Sequence, residues 1–261
     1  MAKPLLGVVH LQPLPSAARH RDMASVFAAA MADARALQQG GVDGVVVENF
    51  GDAPFHKGTA GDPVPPDVPA ALAVIARAIR TEFDLPVAIN CLRNDGMAAL
   101  GAAAVAGARW IRVNVWAGAC VTDQGVIEGE AARVLAYKKR LGASVQVLAD
   151  FLVKHSTPLA PFDPAQGAAD LAERSGADAL VLSGPRTGVA VDTTLLDTVR
   201  AAVGMFPIWL GAGLTPANAA VLWPRCDGAI VGTFLKQDGV LQRPVDADRV
   251  RTLRRALDAQ C

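Results

Sequence analysis

Apolar positions along the chain fall into short β-branched runs, separated by longer stretches in which apolar residues recur at helical spacing. One unit repeats four times: a helical stretch ends in a Gly- or Asp-containing turn and a buried-type strand follows. The four are Gly41-Val-Asp-Gly-Val-Val-Val-Glu48, Gly107-Ala-Arg-Trp-Ile-Arg-Val-Asn114, Gly176-Ala-Asp-Ala-Leu-Val-Leu-Ser183 and Cys226-Asp-Gly-Ala-Ile-Val-Gly232. Runs 5–10, 86–90, 144–150 and 207–211 fit the same role behind weaker turns. Eight strands are therefore predicted, starting near 5, 44, 86, 110, 144, 179, 207 and 228. Helices are predicted at about 23–39, 67–82, 95–106, 128–141, 164–175, 192–203, 216–223 and 246–258. Strict alternation with near-continuous apolar strands predicts a parallel sheet covered by helices. Eight units make a single (β/α)8 barrel domain over residues 1–261. A doubly wound open sheet is the alternative; against it, no G-x-G-x-x-G follows the first strand and a helix still follows the last.

Connections from helix to strand are mostly short, whereas those from strand to helix are long near 49–66, 115–127 and 151–163. In such a barrel the loops beyond the strand C-termini build the site. The strand ends collect His10, Glu48-Asn49 with Asp52, Asn90 with Arg93-Asn94-Asp95, Asn114 with Asp123, Asp150 with Lys154-His155, and Ser183 with Arg186. Asp95 also reads as the N-cap of the third helix. After strands seven and eight, Gly211-Ala-Gly213 and Gly232-Thr233 form glycine loops whose N–H groups can approach a phosphate, or simply permit tight turns.

Composition narrows the ligand. Hydrophobic residues are 52% of 261, so a substantial core is expected, and 25 Lys+Arg balance 25 Asp+Glu, which argues against a nucleic-acid partner held by phosphate neutralisation. No apolar stretch is long enough to span a membrane, and the N-terminal run is too short for a secretory signal. The four cysteines, Cys91, Cys120, Cys226 and Cys261, form no C-x-x-C, which fits a reducing cytoplasm; Cys91 reads as a buried, inert thiol.

For chemistry, Glu48 and Asp150 are candidates for proton transfer. Lys154 is either a Schiff-base amine or an ammonium that pairs with phosphate or carboxylate. His10, Asn49, Asn90, Arg93, Asn114, Asp123, His155 and Ser183 are candidates for binding substrate; Gly211, Gly213, Gly232 and Thr233 for binding its phosphate. No cofactor is specified. A divalent metal on His10, Glu48, Asp52, Asp150 or His155 is an alternative with no H-x-H or H-E-x-x-H motif behind it. The Ala-rich stretch 98–106 would allow helix packing between subunits of a homo-oligomer, and equally packing onto the barrel.

Several strings resemble the BtpA/SgcQ family: Gly7-Val-Val-His-Leu-Gln-Pro-Leu-Pro15, Glu48-Asn-Phe-Gly-Asp52, Asn90-Cys-Leu-Arg-Asn-Asp95, Ile111-Arg-Val-Asn-Val115, Thr122-Asp-Gln-Gly125, Val153-Lys-His155 and Val231-Gly-Thr233. The resemblance runs from about 4 to 252 and implies a phosphate-binding TIM barrel. The sequence departs from the family pattern at Cys91, where Val is usual, and at Gly211-Ala-Gly213, where Gly-Ser-Gly is more typical. For function the resemblance points two ways. One is an enzyme (lyase, isomerase or glycosyl-bond-cleaving) on a phosphorylated sugar or nucleoside-like compound, as members labelled phosphoribosylanthranilate isomerase-like imply. The other is a non-catalytic photosystem I assembly factor at a membrane surface.

Overall fold

The computed structural model describes residues 3–260; Met1, Ala2 and Cys261, one of the four cysteines considered above, lie outside the described residues. Eight strands close into a parallel barrel: β1 (Leu5–His10), β2 (Gly44–Glu48), β3 (Val87–Asn90), β4 (Trp110–Val113), β7 (Gln146–Phe151), β9 (Ala179–Leu182), β10 (Ile208–Leu210) and β11 (Gly228–Val231), the last pairing with β1. The loops expected at 115–127 and 151–163 are partly strand. There β5 (Ala119–Thr122), β6 (Gly125–Glu128) and β8 (Ser156–Pro158) form a small antiparallel sheet outside the barrel, in the order β6-β5-β8. A tight turn at Asp123-Gln124 joins two β-capable runs, and the sheet has its own minor core of Val115, Ile127 and Val153.

Helices alternate with the barrel strands: α1 (Met23–Gly40), α2 (Asp67–Phe83), α3 (Gly96–Ala106), α4 (Ala131–Leu141), α5 (Pro164–Arg174), α6 (Thr193–Val203), α7 (Ala219–Leu222) and α8 (Ala247–Asp258). Two differ from expectation. α4 starts three residues late because β6 takes Gly125–Glu128, and α7 is a single turn that tightens into a 3₁₀ turn at Trp223–Arg225, where Pro224 sits. Side-chain caps start α1, α3, α5, α6 and α8: the Asp22 carboxylate accepts from Ser25 N at 2.7 Å, and Asp95 accepts from Ala98 N at 2.8 Å, as its N-cap reading anticipated. The alanines of α3 face inward against β3, β4 and the neighbouring helices α2 and α4. No helix among the described residues is long and apolar enough to cross a membrane.

The core has two shells. The larger lies between the outer face of the barrel and the helices. The smaller fills the barrel itself with Leu6, Val8, Val46, Ala88, Trp110, Leu148, Ala179, Val181, Trp209 and Ile230. Trp110 and Trp209 meet edge-on with centroids 6.0 Å apart, and Gly228 is required because a Cβ there would sit 2.8 Å from the Trp209 ring. Strand side chains alternate with period two. Continuing the inward rows toward the strand C-termini therefore reaches His10, Glu48, Asn90, Arg112, Asp150, Ser183, Gly211 and Gly232. An apolar plug thus ends in a polar layer at one end of the barrel.

Candidate active site

Register sets that layer. His10 pairs with Glu48, Glu48 with Asn90 and Asn90 with Arg112, so four polar side chains from adjacent strands stand in one row. Above them a cavity of about 230 Å³ is bordered by His10, Glu48, Arg112 and Lys154 on one side, and by Thr187-Gly188, Gly211–Thr215, Gly232–Phe234 and Arg249 on the other.

Glu48 is buried and held by Asn90, whose Nδ2 donates to Oε2 at 2.5 Å. His10 lies with Nε2 3.9 Å from Glu48 Oε1, and Phe50 packs edge-on against its ring at 5.0 Å. Burial, then the positive charges of Lys236, Lys154 and Arg112, push the His10 pKa well below 6.5, so the ring is neutral at pH 7 and does not ion-pair with Glu48. Its Nδ1 is buried with no hydrogen-bond partner. Arg112 donates from Nε and Nη2 to the two oxygens of Asp150 at 2.9 and 3.1 Å. Asn114 Nδ2 donates to the same carboxylate at 2.6 Å. Burial, followed by the Arg112 guanidinium, lowers the Lys154 pKa from 10.5 to about 8, although Asp150 and Glu48 oppose the shift.

The glycines each have a steric reason to be glycine. A Cβ at Gly211 would lie 2.4 Å from Ser183 Oγ and 3.0 Å from Arg112 Nη2. One at Gly213 would lie 2.3 Å from Ala190 N, and one at Gly232 2.7 Å from His10 Cε1. Among the described residues, the backbone N–H groups of Gly213, Gly232 and Thr233 donate to no protein acceptor. They edge the same cavity as Arg249, whose Nε donates to Phe234 O at 2.6 Å and whose guanidinium lies 4.4 Å from the Phe234 ring centroid.

Other expected site residues are placed differently. Asp150, expected to transfer protons, has both oxygens engaged by Arg112 and Asn114. Asn49 is turned away from the barrel axis and ties two loops together: Nδ2 donates to Asp52 Oδ2 and to Leu92 O, and Oδ1 accepts from Leu92 N at 2.7 Å. Arg93 donates to Lys154 O at 2.7 Å and so fixes the lysine's backbone. Asp123 is exposed at the tip of the β5–β6 turn, away from the cavity. His155 is exposed, with Nε2 3.4 Å from Thr187 Oγ1. Asn114 and Ser183 are buried, with Oδ1 and Oγ unpartnered among the described residues. Cys91 is buried, and burial raises its pKa well above 9.0. Among the described residues, no three His, Cys, Asp or Glu side chains group as metal ligands.

Two residues that border the cavity were not among the expected site residues, Arg112 and Arg249. Arg112 is the one Lys or Arg within the barrel strands, at an inward position. Arg249 sits on the first turn of α8, 15 residues past Phe234, and nothing in the intervening sequence marks it as facing the strand ends. Lys236, which closes the Gly232–Lys236 string, is instead buried against Asp33 with Nζ 2.6 Å from Oδ2. A larger cleft of about 990 Å³ opens between α4 and α5, walled by apolar groups such as Trp116, Leu135, Phe151 and Phe162 and floored by Asn114 and Asp150. Its charged lining is Asp150, Asp170 and Arg174, without the lysine and the glycine loops after β10 and β11 that edge the smaller cavity.

An eight-stranded parallel barrel with a polar layer and a cavity at the strand C-termini is a TIM barrel with its site in that fold's usual place. The chain belongs to the BtpA family, whose model matches residues 1–259. An uncharacterized protein of Thermococcus kodakarensis is 44% identical over 252 residues, covering 96% of this chain and 94% of the relative. The photosystem I biogenesis protein BtpA of Synechocystis sp. is 41% identical over 248 residues, covering 95% and 85%. Among solved structures, thiamine phosphate pyrophosphorylase from Pyrococcus furiosus superimposes with a TM-score of 0.61 at 12% identity, covering 99% of this chain and 96% of that one. At that identity the likeness concerns the fold.

Proposed function

We propose that the protein is a cytoplasmic, single-domain enzyme of small phosphorylated compounds, acting as a lyase, isomerase or glycosyl-bond-cleaving enzyme on a sugar phosphate or nucleoside-like phosphate. The observation that carries this reading is the two-sided cavity. Its far side offers N–H groups of Gly213, Gly232 and Thr233 that have no protein acceptor, together with the Arg249 guanidinium, a combination suited to a phosphate dianion. Its near side presents Glu48, a neutral His10 and Lys154 to whatever the phosphate is attached to. About 230 Å³ is below the roughly 300–1,000 Å³ of drug-sized pockets, which favours a compact substrate. In this reading Glu48, oriented by Asn90, exchanges protons with carbon or hydroxyl groups. Asp150 fixes Arg112, Arg112 balances negative charge, and Lys154 faces the part of the substrate that reacts.

The reading is tested by thermal shift against inorganic phosphate, pentose phosphates, nucleotides and the matching unphosphorylated sugars. A ligand at about 100 times its Kd stabilises by about 2.7 kcal/mol, or roughly 5–11 °C for a domain of this size. A shift that needs the phosphate group supports the reading; equal behaviour of sugars and their phosphates overturns it. The name of the Synechocystis relative favours a second reading, a non-catalytic role in photosystem I biogenesis. That role predicts that Glu48→Gln and Gly232→Glu leave the protein's interactions with membrane complexes intact.

A further inference from the structure

The lysine of the cavity is not held as structural ammonium groups are held. Lys236, the buried lysine of the neighbouring loop, has its own carboxylate in Asp33 at 2.6 Å. Lys154 Nζ has no hydrogen-bond or ion-pair partner among the described residues. The nearby carboxylates are engaged elsewhere: Asp150 by Arg112 and Asn114, and Glu48 by Asn90. The backbone that presents Lys154 is set with care. Leu152 at φ 55° and His155 at φ 57° bracket it in the left-handed region, which side-chain-bearing residues seldom adopt. Arg93 clamps the Lys154 carbonyl at 2.7 Å, and Ser156 Oγ donates to Val153 O at 2.6 Å. A segment held in this way brings an amine into a cavity that already contains Arg112, where a merely charge-balancing lysine would meet a cation.

We infer that Lys154 is a carbonyl-reactive amine, and that the substrate of this cavity is a phosphorylated aldehyde or ketone which it binds as a Schiff base. The inference rests on the phosphate-binding reading above and names the group that the phosphate's partner carries. The uncharged amine adds to the carbonyl carbon, forming a C–N bond while the carbonyl electrons move to oxygen, which takes a proton. Loss of that oxygen as water leaves a protonated imine. The cationic nitrogen then draws electrons from the neighbouring carbon, so a C–H bond there breaks, its proton passes to the Glu48 carboxylate and a neutral enamine forms. Reprotonation and hydrolysis return the free lysine. No oxidant, reductant or metal enters the balance. The lowered pKa agrees with this assignment, since the amine is partly uncharged near neutral pH.

The test is borohydride trapping. The full chain is incubated with dihydroxyacetone phosphate or ribose 5-phosphate, reduced with sodium borohydride, and read by intact mass and peptide mapping. The expected result is a mass gain equal to the probe less one oxygen, located on Lys154. It should require borohydride, fall at least tenfold with unphosphorylated dihydroxyacetone, and be absent from Lys154→Arg and Lys154→Met, with circular dichroism confirming that both variants fold. If the phosphorylated probes raise the melting temperature but leave no adduct on Lys154, the Schiff base is refuted and the phosphate site stands. An adduct on Lys154 that is equally strong without the phosphate supports the amine and refutes the phosphate site. Neither shift nor adduct with any probe overturns both.

Discussion

Replacing Asp150 with Asn separates an anchoring carboxylate from a proton-carrying one. Asp150 and Arg112 are 1% and 3% exposed at their side chains, and they meet through two hydrogen bonds at 2.9 and 3.1 Å. Asparagine keeps the shape and one acceptor but removes the charge, leaving a guanidinium buried without a counter-ion. Removing one partner of such a pair costs about 3–5 kcal/mol. Each kcal/mol lowers the melting temperature of a domain this large by about 2–4 °C, so Asp150→Asn should melt about 6–20 °C below wild type. The expected stability loss is a large part of the 5–15 kcal/mol that holds an ordinary domain together. Urea denaturation followed by circular dichroism at fixed salt measures it. Removing the stranded cation as well, in Arg112→Met with Asp150→Asn, should recover part of the loss, because the penalty belongs to the unpaired charge. A single variant within about 1 kcal/mol of wild type would refute the anchoring role and return Asp150 to the candidates for proton transfer.

Other predictions follow from the same geometry. Asp33→Ala strands the Lys236 ammonium and removes the acceptor of Val245 N, 2.8 Å from Asp33 Oδ1, so chemical denaturation should again show a loss of about 3–5 kcal/mol. Gly232→Ala places a methyl group 2.7 Å from His10 Cε1 and should cost about 1–3 kcal/mol while weakening phosphate binding at least tenfold by calorimetry. His10 is neutral when folded, so below about pH 6.5 the unfolded chain binds a proton that the folded chain does not; stability falls toward acid by up to about 1.4 kcal/mol per pH unit, and His10→Asn should flatten that slope. Lys154 titrates near 8 when folded and near 10.5 when unfolded, so over that interval the unfolded chain holds more protons and stability rises with pH; Lys154→Met should remove the rise.

The barrel was readable because each strand is a short β-branched run behind a helix, and Gly41 and Gly107 do end their helices in the left-handed conformation. Which strand-end residues face the barrel axis was also available from parity. His10, Glu48, Asn90 and Arg112 continue the inward rows, whereas Asn49 is one residue out of phase and serves the loops. The reading that gathered every polar strand-end residue into one set did not use that rule. Asp123 marks a different failure: Val121-Thr122 and Val126-Ile127 around Asp-Gln-Gly carry a hairpin signal, and a hairpin carries its turn away from the barrel axis. Arg249 carries no sequence signal of its own, although it reaches the loop after β11 from the helix that directly follows it, 15 residues past Phe234. The ion pairs Arg112–Asp150 and Asp33–Lys236 join residues 38 and 203 positions apart, and no local pattern in a single chain reports such partners.

The most direct measurement is a crystal structure of the protein soaked with ribose 5-phosphate. The account predicts a phosphate bounded by the N–H groups of Gly213, Gly232 and Thr233 and by Arg249, with the sugar directed at Glu48 and Lys154. Phosphate density in the cleft between α4 and α5, or an empty mouth cavity at ligand concentrations that shift the melting temperature, would contradict it.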